Sequence, residues 1–164
     1  MSRTAVGLPA LDTHDVGLQI PSVSNQDAGT WQRRGRRAVL LIDHGSRRPE
    51  ANALLNEVSA LVKQRLGAGS VVEPAHMEIA EPTIAQGFAR CVEQGATMVI
   101  VHPFMLAPGR HVTEDLPRLV AQAASAHRGV TFAMAAPLGS HSGIIDAVVE
   151  RCFAALPERE PGSL

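Results

Sequence analysis

The sequence predicts an α/β fold: one three-layer domain in which helices cover both faces of a four-stranded parallel sheet. Two observations carry this reading. From Ala38 onward, four short apolar runs alternate with four stretches of helical apolar spacing. Strands of a parallel sheet are buried on both faces, so they read as unbroken apolar runs, and their crossovers are helices. The length of 164 residues also suits one domain and is short for two.

Residues 1–37 stand apart. Gly, Ser, Pro, Asp, Asn and Gln are scattered through them with no apolar period, and they end in Trp31 and the basic run RRGRR. They are expected to form a flexible arm before a domain of residues 38–156, with a short tail at 157–164. The first strand is AVLLID, followed by a loop HGSRRPE and a helix carrying Leu54, Leu55, Val58, Leu61, Val62 and Leu66. VVEPAHMEIA is the second strand, and its Pro74 lacks a ladder donor, which favours a sheet edge. In EPTIAQGFARCVEQG, Pro82 lies near a helix start, Ile84, Phe88, Cys91 and Val92 form one stripe, and Gly95 is the stop. TMVIVHPF is the third strand, MLAPGRHVTE a loop, and DLPRLVAQAASAH a helix that tolerates Pro117 in its first turn. VTFAMAAP is the fourth strand. The last helix, GSHSGIIDAVVERCFAAL, has Ile144, Ile145, Val148, Val149, Cys152 and Phe153 for a core-facing side. Right-handed crossovers make 2-1-3-4 the economical strand order, with the Pro74 strand outermost.

Composition excludes several classes of function. A net charge of −1 with 19% charged residues provides no general field for nucleic acid or an anionic membrane. Aromatic residues are only 3% and Tyr is absent, which leaves no stacking platform for single strands. No window reaches the roughly 20 apolar residues of a membrane span, and no signal-peptide pattern opens the chain. The two cysteines, Cys91 and Cys152, make no CxxC and no disulfide framework. They read as structural residues of a cytoplasmic protein.

Ligands of such sheets bind beyond the carboxyl ends of the strands. The residues collected there are His44 after the first strand, Glu78 and Glu81 after the second, His111 after the third and His141 after the fourth. Imidazole with carboxylate suits a borderline divalent ion, and neutral imidazole accepts a proton near pH 7. Arg47, Arg48 and Arg110 lie beside them, and guanidinium forks match carboxylates and phosphates. The rim could hold a small polyanion over a metal-binding, proton-accepting site.

Four successive blocks, LLIDHGSRRPEAN, AHMEIAEPTIAQG, VHPFMLAPGRHVTEDLPRL and APLGSH, resemble the motifs of the small CbiX/SirB-type sirohydrochlorin chelatases. The resemblance covers about Ala38 to Phe153. It implies insertion of Co²⁺, Fe²⁺ or Ni²⁺ into a sirohydrochlorin-type tetrapyrrole without ATP, for cobalamin or siroheme, with the ion as substrate and no permanently bound cofactor. On this resemblance His44 is a metal ligand and proton acceptor, His111 the second histidine ligand, and Glu81 an acid at the metal and substrate. Leu106, Ala107, Pro108, Gly109 and Arg110 are the loop along the macrocycle, with His111 closing it. Glu78 matches a second acid, Arg47 a partner for substrate carboxylates, and His141 either lines the substrate edge or caps the last helix. Three residues depart from the pattern: Asp43 where glycine is common, His76 where a small or apolar residue is common, and His102 where Val is usual.

Two other classes fit parts of the pattern. A histidine phosphatase also shows His-Gly after its first strand, but it precedes that His with an Arg, and here the residue is Asp43. A metal carrier would use the same histidines without catalysis. Larger chelatases of related type resemble two such units fused about a pseudo-twofold axis. One unit offers a wide, flat substrate a single wall, so a homodimer with facing rims is expected.

Overall fold

The computed structural model of the chain describes residues 36–157, apart from 108 and 110 and the side chains of 111 and 112. Of the arm expected at 1–37, residues 1–35 lie outside the described residues, and Arg37 already opens the first strand; of the tail expected at 157–164, residues 158–164 lie outside them. The elements in order are β1 (Arg37–Asp43), α1 (Pro49–Leu66), β2 (Val71–His76), α2 (Ile84–Glu93), β3 (Met98–Pro103), a π-helical turn (His111–Asp115), α3 (Leu116–Ser125), β4 (Thr131–Met134) and α4 (Ser142–Ala154). All pairs are parallel, in the order β2-β1-β3-β4, so the Pro74 strand is an edge as expected. The third loop ends earlier than the sequence suggests, because the chain already turns helically from His111.

Two apolar clusters flank the sheet. On one face Leu40, Ile42, Val99 and Val101 pack with Phe88 and Cys91 of α2 and Leu116 and Val120 of α3. On the other, Val39, Leu41 and Val72 pack with Leu55 of α1. Helix α2 is stopped at its start by a capping box: the Thr83 hydroxyl accepts from Gln86 N–H, and the Gln86 side chain accepts from Thr83 N–H. Such a cap satisfies two orphan donors of the first turn. A Cβ on Gly87 would come within 2.8 Å of Leu40 Cδ1 and 3.0 Å of Ala75 Cβ, so this glycine lets α2 sit down on β1 and β2. Cys91 is fully buried, as its stripe requires, and burial, with Glu73 adding to it, pushes the thiol up to about 12.

Helix α1 uses a narrower stripe than expected. Leu55 and Ser59 are buried and Val58, Val62 and Leu66 partly so, while Leu54 and Leu61 lie off that line and are exposed. Ser59 is accommodated because its hydroxyl donates to Leu55 O at 2.7 Å. The larger departure is α4. It was expected to bury its apolar side, yet none of its residues is buried and Cys152 is exposed. Amphipathic spacing gives a helix a face to bury without specifying what covers it. Among the described residues, no helix is long and apolar enough to cross a membrane.

Candidate functional site

The β1–β2 ladder runs past the formal strand ends. Met77 N–H donates to Asp43 O at 2.9 Å and Glu78 N–H to His44 O at 3.1 Å. His44 is thereby set at the carboxyl rim directly beside the segment that carries Glu78. At Gly45 the backbone turns with φ +80°, and its N–H donates to Asp43 Oδ1 at 2.9 Å. A Cβ there would lie 2.1 Å from Glu78 O, so only glycine lets the two segments approach this closely. Asn52 of α1 then clamps the loop from both sides, accepting from Ser46 N–H and donating to Ser46 O. The Ser46 hydroxyl accepts from Arg48 N–H at 3.1 Å, holding the loop just before α1.

Two departures from the family pattern prove to be one feature. Asp43 and His76 are opposite each other in the ladder, and Asp43 Oδ1 meets His76 Nδ1 at 2.5 Å. His76 is 1% exposed, so the carboxylate satisfies a buried ring nitrogen. The third departure, His102, lies opposite Leu41 on β3. Its Nδ1 is buried without a hydrogen-bond partner, and burial holds the ring below the usual histidine pKa, with the nearby backbone of His102 and Pro103 acting in the opposite direction.

A cavity of about 580 Å³ opens at the rim. One wall is Asp43, His44, Gly45 and Ser46, and the other is the loop of Phe104, Met105, Leu106, Ala107 and Gly109. The β4–α4 connection supports that second wall, since Leu138 N–H donates to Met105 O and Gly139 N–H to Leu106 O, both at 2.9 Å. His44, Leu106, Ala107 and Gly109 therefore come together, as the resemblance implies. Pro108, Arg110 and the side chain of His111 lie outside the described residues; the backbone of His111 opens the π-helical turn beyond the loop.

The remaining candidates divide. Glu78 and Glu81 are both exposed, but Glu81 Oε1 accepts from Gln86 Nε2 at 3.4 Å, toward α2. Arg47 is exposed on the loop after His44. His141 takes the capping alternative: its Nδ1 accepts from Gly143 N–H at the start of α4. Among the described residues no three His, Cys, Asp or Glu side chains converge as a ready-made metal site. Sequence reasoning missed Asn52 and Ile79. Ile79, between the two acids, has φ +70°, a strained backbone for a β-branched residue of the kind that clusters at functional sites. Neither had a local signal, since the clamp and the strain depend on the two loops meeting.

Comparison with known proteins agrees with this geometry. The pattern of the CbiX family matches residues 38–155. Sirohydrochlorin ferrochelatase, chloroplastic, of Arabidopsis thaliana is 47% identical over 113 residues, which are 69% of this chain and 50% of the relative. A sirohydrochlorin cobaltochelatase of Methanocaldococcus jannaschii is 32% identical over 140 residues, covering 71% of this chain and 97% of the relative. The chain thus spans about half the length of the plant relative and nearly all of the archaeal one. Among solved structures, the sirohydrochlorin chelatase SirB from Bacillus subtilis subspecies spizizenii in complex with cobalt matches with TM-score 0.63 and 33% identity, over 73% of this chain and 51% of that one. The family pattern spans most of the chain, and the archaeal relative is matched over nearly its whole length, which leads to one conclusion: the chain belongs to the CbiX family.

Proposed function

We propose that the chain inserts a divalent metal ion, Co²⁺ or Fe²⁺ with Ni²⁺ as a further candidate, into sirohydrochlorin without ATP. The observation that carries this reading is the rim cavity, with His44 on one wall and an apolar loop on the other, in a chain whose relatives carry the names sirohydrochlorin ferrochelatase and cobaltochelatase. The metal-carrier and phosphatase readings have no comparable support, and Asp43 would repel a phosphate.

The chemistry follows from the residue types. Phe104, Met105 and Leu106 offer an apolar wall to the flat face of a macrocycle, with Ala107 and Gly109 continuing it. Arg47 and Arg110 meet the substrate's carboxylates, which guanidinium forks grip in pairs. His44 and His111 coordinate the incoming ion on one face, with a carboxylate from Glu78 or Glu81; Glu78 is the one whose backbone is bonded to His44. Such a set leaves coordination positions open, as a site that hands its ion to another ligand must. As the ion enters, the two central pyrrole protons leave, one to His44 or the carboxylate and the other to water. Holding ring and ion in register replaces a random encounter with an oriented one. A second copy of the chain supplies the other wall, giving a working homodimer.

The test is the absorption spectrum of sirohydrochlorin mixed anaerobically with the protein and Co²⁺, Fe²⁺ or Ni²⁺. The full chain should speed the spectral change, and His44→Ala should lower the rate about 100-fold or more, the scale of a lost proton-transfer group. Parent rates in both His44→Ala and His111→Ala would sink the assignment.

A further inference from the structure

The two loops that carry His44 and the acids meet at one side-chain contact. After His44 the chain turns at Gly45, and the N–H of that turn donates to Asp43 Oδ1 at 2.9 Å. The same oxygen meets His76 Nδ1 at 2.5 Å. His76 is also the neck of the neighbouring loop: its N–H donates to Pro82 O at 2.8 Å and it bridges to Thr83, so residues 77–82 leave β2 and return beside it. Glu78 and Glu81 both lie on that loop. Within it Ala80 N–H donates to Glu78 O at 2.7 Å, a tight turn that holds Ile79 at φ +70°. Backbone in so sparse a region persists only where its surroundings over-determine it. His76 is 1% exposed, and its Cβ lies against the Gly45 turn, 3.1 Å from where a Cβ on that glycine would stand. Asp43 is 24% exposed and lines the cavity. The opposite wall is held by other bonds, from Leu138 and Gly139 to Met105 and Leu106.

We propose that Asp43 and His76 are positioning residues for the metal step, locking the turn after His44 and the neck of the Glu78–Glu81 loop into one frame. This rests on the metal-insertion reading above. The ladder bonds from Met77 to Asp43 O and from Glu78 to His44 O align the two segments along the strands. The side-chain pair ties together the two points from which the ligand-bearing loops depart. An ion held by groups on two loops needs their separation fixed, and without the pair that separation spreads. Outer groups that orient metal ligands are typically worth about 10–100-fold in affinity or activity. Because the loop of Phe104 to Gly109 takes its support from the β4–α4 connection, the effect falls on the ion and on turnover and spares the hold on the macrocycle. What the frame needs from residue 76 is a hydrogen-bond donor beside Asp43 Oδ1, and the side-chain amide of an asparagine offers one close to where the imidazole has Nδ1.

The experiment compares the full chain with its His76→Leu, Asp43→Ala and His76→Asn variants in two assays: anaerobic insertion of Co²⁺ into sirohydrochlorin, and titration of the protein with Co²⁺ alone, followed by cobalt absorption. His76→Leu and Asp43→Ala should each lower kcat and weaken Co²⁺, in both KM and direct binding, by about tenfold or more, while KM for sirohydrochlorin stays within about twofold. The double variant should lose no more than the worse single one, the mark of two residues that act as a unit. His76→Asn should recover most of the loss. Circular dichroism and denaturant unfolding identify the folded variants; if His76→Leu does not fold, Asp43→Ala, which alters a partly exposed side chain, carries the same expectations. Parent-like Co²⁺ binding and kcat in a folded variant that breaks the pair, additive losses in the double variant, or an equal rise in both KM values overturn the positioning role. So does a His76→Asn chain as impaired as His76→Leu. A parent chain that binds Co²⁺ without inserting it overturns the metal-insertion reading, and the Co²⁺ titration then judges the positioning role by itself; a parent chain that binds no Co²⁺ overturns both.

Discussion

Helix α2 buries Ile84, Gly87, Phe88 and Cys91 against β1 and β2, whereas α4, three residues longer, buries nothing. The two halves of the sheet differ in the same way. β1 has five consecutive buried residues between helices on either side, and β4 has none. The packed half carries His44, Glu78 and the Asp43–His76 pair, so the chemistry sits where the subunit is self-sufficient. The open half supports the cavity's second wall through the β4–α4 connection. An amphipathic face states that burial must occur somewhere; which molecule supplies the cover is a separate matter.

The contrast can be broken most strongly at its two phenylalanines. Phe88→Ala removes a fully buried ring that also stacks on His127 and should cost about 3–5 kcal/mol in denaturant unfolding. Phe153→Ala should leave denaturant unfolding nearly unchanged, because that ring is 68% exposed. Equal losses of subunit stability would show that α4 is packed within its own chain. A smaller effect is expected from Asp43→Asn, which deprives the buried His76 of its charged partner. It should cost about 1–3 kcal/mol in chemical denaturation, together with slower metal insertion, because Asp43 also holds the Gly45 turn. Stability lost with no change in rate would separate the pair from the site.

The caps offer a finer comparison. Thr83→Ala should cost about 1 kcal/mol, since α2 is part of the core. His141→Ala removes the cap of a helix that buries no residue and should leave denaturant unfolding within error. The mildest effect is the pH dependence contributed by His102. Burial lowers its folded pKa beneath the unfolded value of 6.5, so the unfolded chain binds more protons in that window. Its contribution is complete above 6.5 and declines as the pH falls toward the folded pKa. His102→Val should flatten that decline in urea titrations, and an unaltered pH profile would rule out this source.

Much of this was legible before any coordinates. Apolar runs identified the four strands, Pro74 placed its strand at the edge, and the HGS and GRHV blocks pointed to the rim. Asp43 and His76 were visible only as two separate oddities, because their pairing depends on ladder register across 33 residues. Asn52 and Ile79 carried no signal of their own. For α1, spacing could not tell Leu55 from Leu54 and Leu61, since a stripe's width depends on how closely the sheet approaches.

By itself the sequence determined the element order, the strand order and the chemical types gathered at one rim. Those depend on local periodicity, on the handedness of crossovers and on where strands end, all of which are written along the chain. Only the tertiary structure decided that Asp43 is engaged by His76, that Glu78 is bonded beside His44, that His141 is a cap, and that α4 leaves its apolar side uncovered. Each is a meeting of segments distant in sequence, and burial is a property of what two surfaces do together.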